Sequence, residues 1–404
     1  MTEQPTNAVT ARKGLIMGWR QDAGQAGPLA GIRVIELVGM GPGPFAAMLL
    51  GDLGADVLCV DRPGGPEGAI SPELDPTRRN RRSVCVDLKR PNADELILRL
   101  VESTDALIDV FRPGVAERLG IGPDECLARN PRLVYGRMTG WGQGGPLAAD
   151  AGHDINYVAV SGSLDLIGRR GEAPVPPLNL LGDYAGGGML LTIGVLAALA
   201  NASRSGRGQV VDAAMVDGAS LLTTYIHGLR AVGAWQDRRG MNLIDTGAPF
   251  YNVYQTADGK HVAVGALEAR FYRNLLNRLG IDDVDPADQM DQTTWPAMTI
   301  RLAEIFRSRT RDEWCALFEG ADACVTPVLA LGEVASHPHH RHRGSFTQVD
   351  GVLQPAPAPR FSQTPTSIRR PPPRRGQHTD EVLLDWGLQA EEIVAARRQG
   401  VIGS

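Results

Sequence analysis

Apolar residues along this chain fall into a few recurrent patterns. Short β-rich runs at 32–37 and 56–60 flank a segment, 45–53, whose apolar side chains recur at helical spacing. Strand, helix and strand in that order make a βαβ unit, which requires parallel strands joined by a crossover. Further strand-like runs at 83–88, 106–110 and 133–138 are separated by helical stretches. The first half therefore predicts a Rossmann-like open parallel sheet of the α/β class. From 187 to 199 the pattern predicts an apolar, Gly- and Ala-rich helix, and from 213 to 232 another, with Gly206-Arg207-Gly208 as a tight turn between them. The run 251–265, with Asp258-Gly259 near its middle, predicts a hairpin.

These patterns divide the chain into a flexible N-terminal extension at 1–26, a large α/β domain at 27–215 and linker helices at 216–246. A smaller α+β domain at 247–330 and a C-terminal segment at 331–404 complete it. Within the last segment, the Pro-rich stretch 355–373 reads as a long connection ordered against a partner surface. Thr379-Asp380-Glu381 then caps a final helix, with acids in its first turn.

Composition narrows the function classes. At 404 residues the chain can bury two moderate cores. Lys and Arg number 41 against 46 Asp and Glu, so no global basic field points to nucleic acid or membrane as a partner. The five cysteines (59, 85, 126, 315 and 324) show no CxxC spacing and read as small apolar residues of a reducing compartment. No apolar run reaches the roughly 18–20 residues needed to span a bilayer. The first 26 residues include Glu3 and Asp22 and have no signal-peptide core, so a cytoplasmic protein is expected.

Two polar breaks carry the candidate chemistry. Gly152-His153-Asp154-Ile155-Asn156-Tyr157 and Asn179-Leu180-Leu181-Gly182-Asp183 each place a titratable side chain beside a glycine, between apolar segments. Imidazole and carboxylate are the side chains best suited to moving protons near neutral pH, and glycine lets a substrate approach the backbone. Taken singly, His153 reads as a structural histidine, and Asp183 and Glu268 as helix caps. The loop Gly39-Met40-Gly41-Pro42-Gly43-Pro44, with Asp61 further on, imitates a dinucleotide fingerprint. Pro42 and Pro44 have no N–H, however, and those donors are what hold a pyrophosphate, so nicotinamide binding is not expected. Arg78, Arg79, Arg81, Arg82, Lys89 and Arg90 form a dense basic stretch; a solvated face is the plain reading of such a run. His337, His339, His340 and His342 have arginines among them and no acidic or thiol partner, so no metal site is expected.

Several further runs join these breaks: Met138-Thr139-Gly140-Trp141-Gly142-Gln143-Gly144-Gly145-Pro146, Pro176-Pro177-Leu178-Asn179-Leu180, Gly208-Gln209-Val210-Val211-Asp212 and Gly265-Ala266-Leu267-Glu268. Together they resemble the α-methylacyl-CoA racemase branch of the formyl-CoA transferase-like, or class III CoA-transferase, superfamily. The likeness runs from about Gly27 to the C-terminus. It implies a C-terminal segment returning to the large domain, and two subunits interlocked as a homodimer. It also implies an acyl-CoA thioester as substrate, no metal, flavin or pyridoxal cofactor, and racemisation of a 2-methylacyl-CoA.

By the same resemblance, His153 and Asp183 serve opposite faces of the reacting carbon and Glu268 hydrogen-bonds His153, while backbone N–H groups near Asp154 stabilise the enolate. The coenzyme contacts implied are Arg62, Val86, Asp87, Leu88, Lys89, Val110, Phe111, Arg112 and Arg118. Around the thioester they are Gly152, Asp154, Ile155, Asn156 and Tyr157. Phosphate contact by at least two of the basic side chains is expected, because guanidinium forks fit phosphate. Phe111 stands where relatives often have Tyr. The rival within the superfamily is a CoA transferase in which Asp154 is the nucleophile that forms an anhydride and then a thioester.

Overall fold

A computed structural model describes residues 27–65 and 70–403; the extension expected at 1–26 lies outside the described residues. Strands β1 (Arg33–Leu37), β2 (Asp56–Asp61), β3 (Arg81–Cys85), β4 (Ala106–Asp109), β5 (Val134–Thr139) and β6 (Gln209–Ala214) form one sheet. It is parallel throughout, in the order β3-β2-β1-β4-β5-β6. Their near-continuous apolar runs follow from burial on both faces. The chain builds outward from β1 in one direction and then, from β4, in the other, so the connections diverge between β1 and β4. In an open α/β sheet that divergence leaves a crevice at the carboxyl ends of the strands.

Helix α1 (Pro42–Asp52) covers one face of the sheet, and α2 (Ala93–Val101), α3 (Val115–Arg118) and α4 (Pro123–Arg129) follow on the other. Next come α5 (Asp154–Val160), a π-helix (Leu180–Met189), α6 (Leu190–Ser205), α7 (Met215–Leu221) and α8 (Thr224–Ala231). One apolar core lies between α1, α6 and the sheet, around Leu50, Ile108, Leu191 and Val195. The opposite core, around Ile97, Leu107 and Tyr135, is completed by Val382, Trp386, Ile393, Val401 and Ile402.

The smaller unit is an antiparallel sheet of β7 (Tyr251–Gln255), β8 (His261–Gly265) and β9 (Val325–Pro327). It packs with α9 (Ala269–Leu279), α10 (Trp295–Phe306) and α11 (Arg311–Phe318) on Phe250, Leu302 and Phe306. Gly259 takes φ 74° at the hairpin tip, as the Asp-Gly pair predicts. Beyond lie α12 (Pro338–Arg343), the hairpin β10 (Phe346–Val349) with β11 (Val352–Pro355), then α13 (Thr379–Asp385) and α14 (Ala390–Arg398).

Several expectations change. The helix expected over 213–232 is a strand end followed by two helices. Its start belongs to β6, which pairs with β5 as far as Ala214. The helix expected at 187–199 begins at Leu180 and runs unbroken to Ser205, 26 residues, long and apolar enough by composition to cross a membrane. That overturns the expectation that no such stretch exists, but Leu191, Val195 and Ala198 on this helix are core residues against the sheet. The histidine run, for which no metal site is expected, forms the short helix α12 with His337 as its N-cap. The Pro-rich connection docks on its own chain: Arg369 donates to Gly51 O and Ala55 O, and Asn80 donates to Ser367 O. The final helix is a pair, and Thr379 is the first residue of α13 behind an N-cap at His378.

The first four arginines of the basic stretch form neither a solvated face nor a phosphate cradle, whereas Lys89 and Arg90 are exposed. Arg78 pairs with Asp61 at 2.6 Å, Arg79 with Asp52 at 2.5 Å, Arg81 with Glu36 at 2.5 Å and Arg82 with Asp56 at 2.6 Å. All four arginines are buried. A buried charge without a partner is too costly to persist, so each is committed to a carboxylate of β1, α1 or β2. Asp61, the acid of the imitation fingerprint, is spent on Arg78 and on the Ser83 hydroxyl, 2.6 Å away.

Candidate active site

The chain after β5 turns at Gly140 and Gly142 and enters α5 with His153 as N-cap. The Asn156 side-chain oxygen accepts the His153 N–H at 3.1 Å, fixing this entry, and the His153 imidazole is exposed. Tyr157 packs its ring edge-on against Trp141 at 4.8 Å. A β-carbon on Gly152 would lie 2.7 Å from that tyrosine ring, so only glycine allows the loop to pass.

Asp183 comes from the π-helix, a wide turn that is rare and frequently found at functional sites. Glycines make that register possible. Gly186 meets the backbone of α7 at Gly218, and Gly187 and Gly188 meet Pro42 and Phe45 of α1. The Asp183 N–H donates to Asp154 Oδ2 at 2.6 Å. The Asp154 side chain is only 6% exposed, and its Oδ1 is buried with no hydrogen-bond partner among the described residues. Asn179, one turn back, donates to Asp183 Oδ2 at 3.4 Å. Burial chiefly, and then the negative charge of Asp154, raises the pKa of Asp183; the Asn179 hydrogen bond and the nearby His153 charge lower it. The phenol of Tyr157 is also pushed up, by burial first and by the charge of Asp183 next.

The glycine-rich turn after β1 receives this carboxyl. Gly41 has φ 70°, and a β-carbon there would lie 3.0 Å from Asp183 Oδ2. The surface that would face a pyrophosphate in a dinucleotide fold is thus taken by Asp183. Val110, at the end of β4, wedges against Gly39 and Gly43 across the divergence of the connections.

The expected coenzyme contacts line the carboxyl edge of the same sheet. Exposed Arg62 follows β2, and Val86 to Lys89 follow β3. Buried Val86 bridges to Ile402, the Asp87 N–H donates to Val401 O at 2.9 Å, and Asp87 Oδ1 accepts the Lys89 N–H at 3.1 Å. Phe111, after β4, donates its N–H to Asp109 Oδ1 at 2.8 Å. Arg112 is exposed and near enough to Tyr157 to lower that phenol's pKa; Arg118 ends α3. Ile155 and Asn156 are exposed on the first turn of α5.

His153, Asp154, Tyr157 and Asp183 are therefore brought together, with Arg112 at the margin. Glu268 is not. It is the exposed N-cap of α9 in the smaller unit, and among the described residues it makes no hydrogen bond or ion pair with His153. The expected His153–Glu268 hydrogen bond is absent within one chain, because the two side chains belong to different units. Sequence reasoning places Asp154 in the site but misses Asn179, which it reads only as part of a motif, and it does not reach the Asp154–Asp183 hydrogen bond. The i, i+4 spacing of Asn179 and Asp183 was the available signal.

With this geometry in place, kinship can be stated. The chain belongs to CoA-transferase family III, which it matches over residues 29–379. It is 45% identical to the alpha-methylacyl-CoA racemase of Mus musculus over 380 residues, 93% of this chain and 98% of that one. Identity to the alpha-methylacyl-CoA racemase of Homo sapiens is also 45%, over 381 residues covering 93% and 98%. In three dimensions it is similar to a CAIB/BAIF family protein from Brucella suis, with TM-score 0.78 and 26% identity, covering 90% of this chain and 100% of that one.

Proposed function

We propose that this family III protein is a cofactor-independent isomerase that inverts the α-carbon of 2-methylacyl-CoA thioesters by moving one proton through an enolate. One observation carries the reading: an exposed imidazole, His153, lies within electrostatic reach of a half-buried carboxyl, Asp183, whose pKa burial and the Asp154 charge raise above the ordinary carboxylate value. Inversion needs a base on one face of the carbon and an acid on the other, and each must serve in both forms as the direction reverses. The charge that develops on the thioester oxygen is met by the N–H groups of Asp154 and Ile155. These precede the first intrahelical donors of α5, Asn156 and Tyr157, which bond His153 O. Acid–base chemistry of this kind moves no electrons between partners, so it calls for no metal, flavin or pyridoxal.

The coenzyme takes the carboxyl edge of the sheet. Arg62, Lys89, Arg112 and Arg118 turn to its phosphates, and the 86–88 and 110–111 strand ends meet the rest. Glu268 orients His153 from a second copy in an interlocked homodimer. Two features support this: Glu268 is exposed away from His153 in its own chain, and Val160, Ile193, Leu221 and Tyr225 leave 61–69% of their surface exposed. A transferase reaction at Asp154 is disfavoured because that carboxylate is buried and already holds the Asp183 N–H.

The test is incubation of a single enantiomer of a 2-methylacyl-CoA in deuterated water. Deuterium at the α-carbon with loss of optical purity is expected. No label across several chain lengths, with CoA instead passing to a free carboxylic acid, replaces this reading with the transferase.

A further inference from the structure

We propose that Asp154 is a positioning residue for proton transfer by Asp183: one oxygen of its buried carboxylate ties down the Asp183 peptide, and its negative charge stands beside the Asp183 carboxyl. The inference rests on the racemase reading above and deepens it.

Three observations carry it. First, Asp154 Oδ2 accepts the Asp183 N–H at 2.6 Å, a charge-assisted bond between elements 29 residues apart. It fixes the backbone from which the reacting carboxyl projects. Second, the side chain is 6% exposed and Oδ1 has no hydrogen-bond partner among the described residues. A buried carboxylate oxygen without a donor costs stability, and a catalytic role is one of the reasons a fold retains such a group. Third, the contact depends on Gly182, because a β-carbon there would lie 2.6 Å from Asp154 Oδ2. Local packing is arranged around the carboxylate.

The titratable groups facing Asp183 are few. From α5 they are His153, Asp154 and Tyr157. The turn into α1 presents Gly41, and Phe45 of α1 stacks on Tyr184; α7 presents Met215 and Gly218, so neither helix adds a charge there. Of the three on α5, Asp154 raises the Asp183 pKa and His153 lowers it. A carboxyl that must accept a proton in one direction and donate it in the other works best when its pKa is near the working pH. Asp154 thus acts through Asp183, without touching the substrate carbon.

The experiment compares wild type with Asp154→Asn and Asp154→Ala, reading α-deuterium exchange from each enantiomer against pH. Asparagine keeps an oxygen for the Asp183 N–H and removes the charge. In that variant the acid limb of the kcat profile assigned to Asp183 shifts to lower pH, while KM for the acyl-CoA stays within about twofold. Alanine removes both, and kcat falls about 10²-fold, the cost of misplacing a reacting group by about 1 Å. Amide hydrogen exchange of Asp183 gives a readout independent of turnover: protection is kept in the asparagine variant and lost in the alanine variant. An asparagine profile superimposed on wild type, or unchanged amide protection in the alanine variant, overturns the proposal. Complete loss of turnover in both variants with a trapped aspartyl-CoA thioester in wild type also overturns it, and makes Asp154 the nucleophile. If wild type itself incorporates no deuterium, the racemase reading falls and this one with it.

Discussion

Replacing Arg81 by methionine isolates the energetic cost of the buried ion-pair layer. Arg81 is 1% exposed and pairs with Glu36, also 1% exposed, at 2.5 Å. It also donates to Thr77 O and to Pro44 O, the latter in the first turn of α1 next to Gly41. In Arg81→Met a carboxylate is left buried without its counter-charge, which costs about 3–5 kcal/mol. Two carbonyls also lose their donor, at about 1–3 kcal/mol. Against a total stability of about 5–15 kcal/mol, such a loss leaves a barely folded protein. Adding Glu36→Leu removes the orphaned charge but not the orphaned carbonyls, so the double variant should sit only about 1–3 kcal/mol below wild type. The pH gives an independent sign. Burial holds the Glu36 carboxyl above its ordinary pKa even beside Arg81, and removing Arg81 pushes it further up. A carboxyl whose folded pKa is raised costs stability as pH rises through that range, so from pH 7 to 5 the single variant should recover more than wild type does, while the double variant should change only as wild type does. Urea denaturation followed by tryptophan fluorescence at both pH values measures each term. A single variant within 1 kcal/mol of wild type, or a double variant no better than the single, would falsify the argument that the pair is held by mutual neutralisation.

His153→Ala and Asp183→Ala should each abolish exchange from one enantiomer by about 10²–10⁴-fold while acyl-CoA binding by calorimetry changes little; equal losses from both enantiomers would deny the two-face assignment. Gly182→Ala should displace the Asp154 carboxylate and cut exchange strongly, yet lower the thermal midpoint only slightly, because alanine gains about 1 kcal/mol of helix propensity; full activity would show that the contact yields without consequence. Burial pushes the Asp109 carboxyl up to about 6. The folded state therefore holds that proton more tightly than the unfolded chain, and stability should fall by up to about 3 kcal/mol as pH rises from about 4 to 6. Asp109→Asn should flatten the thermal midpoint over this window, and an unchanged slope would place the effect elsewhere.

The βαβ unit and the 251–265 hairpin were legible because their periods are local: strand runs buried on both faces, and an Asp-Gly tip. Strand β6 was not, since Gln209 and Val210 are exposed at an edge and only pairing with β5 makes them a strand. The π-helix around Asp183 depends on Gly186 meeting Gly218, a contact no helical period encodes. His153 and Asp183 stood out by their glycine-flanked polar context. What joins their segments did not, because the Asp154–Asp183 bond is tertiary. The arginines at 78–82 misled for a related reason. A run of like charge suggests solvent when its partners are invisible, and Asp52, Asp56, Asp61 and Glu36 become partners only once β1, β2 and β3 lie side by side.

Because Val382, Trp386, Val401 and Ile402 complete the core beneath β2 and β3, one face of the parallel sheet stays uncovered until the last residues of the chain are made. Val86 is translated about 300 residues before the Ile402 it bridges, an interval of roughly 15–60 s at about 5–20 residues per second. Throughout that interval the emerging half-domain holds an uncovered apolar face, a surface that drives nascent chains into one another. Cutting the chain before Val382 should therefore leave this apolar face bare and lower the soluble yield, which expression of the shortened chain would measure.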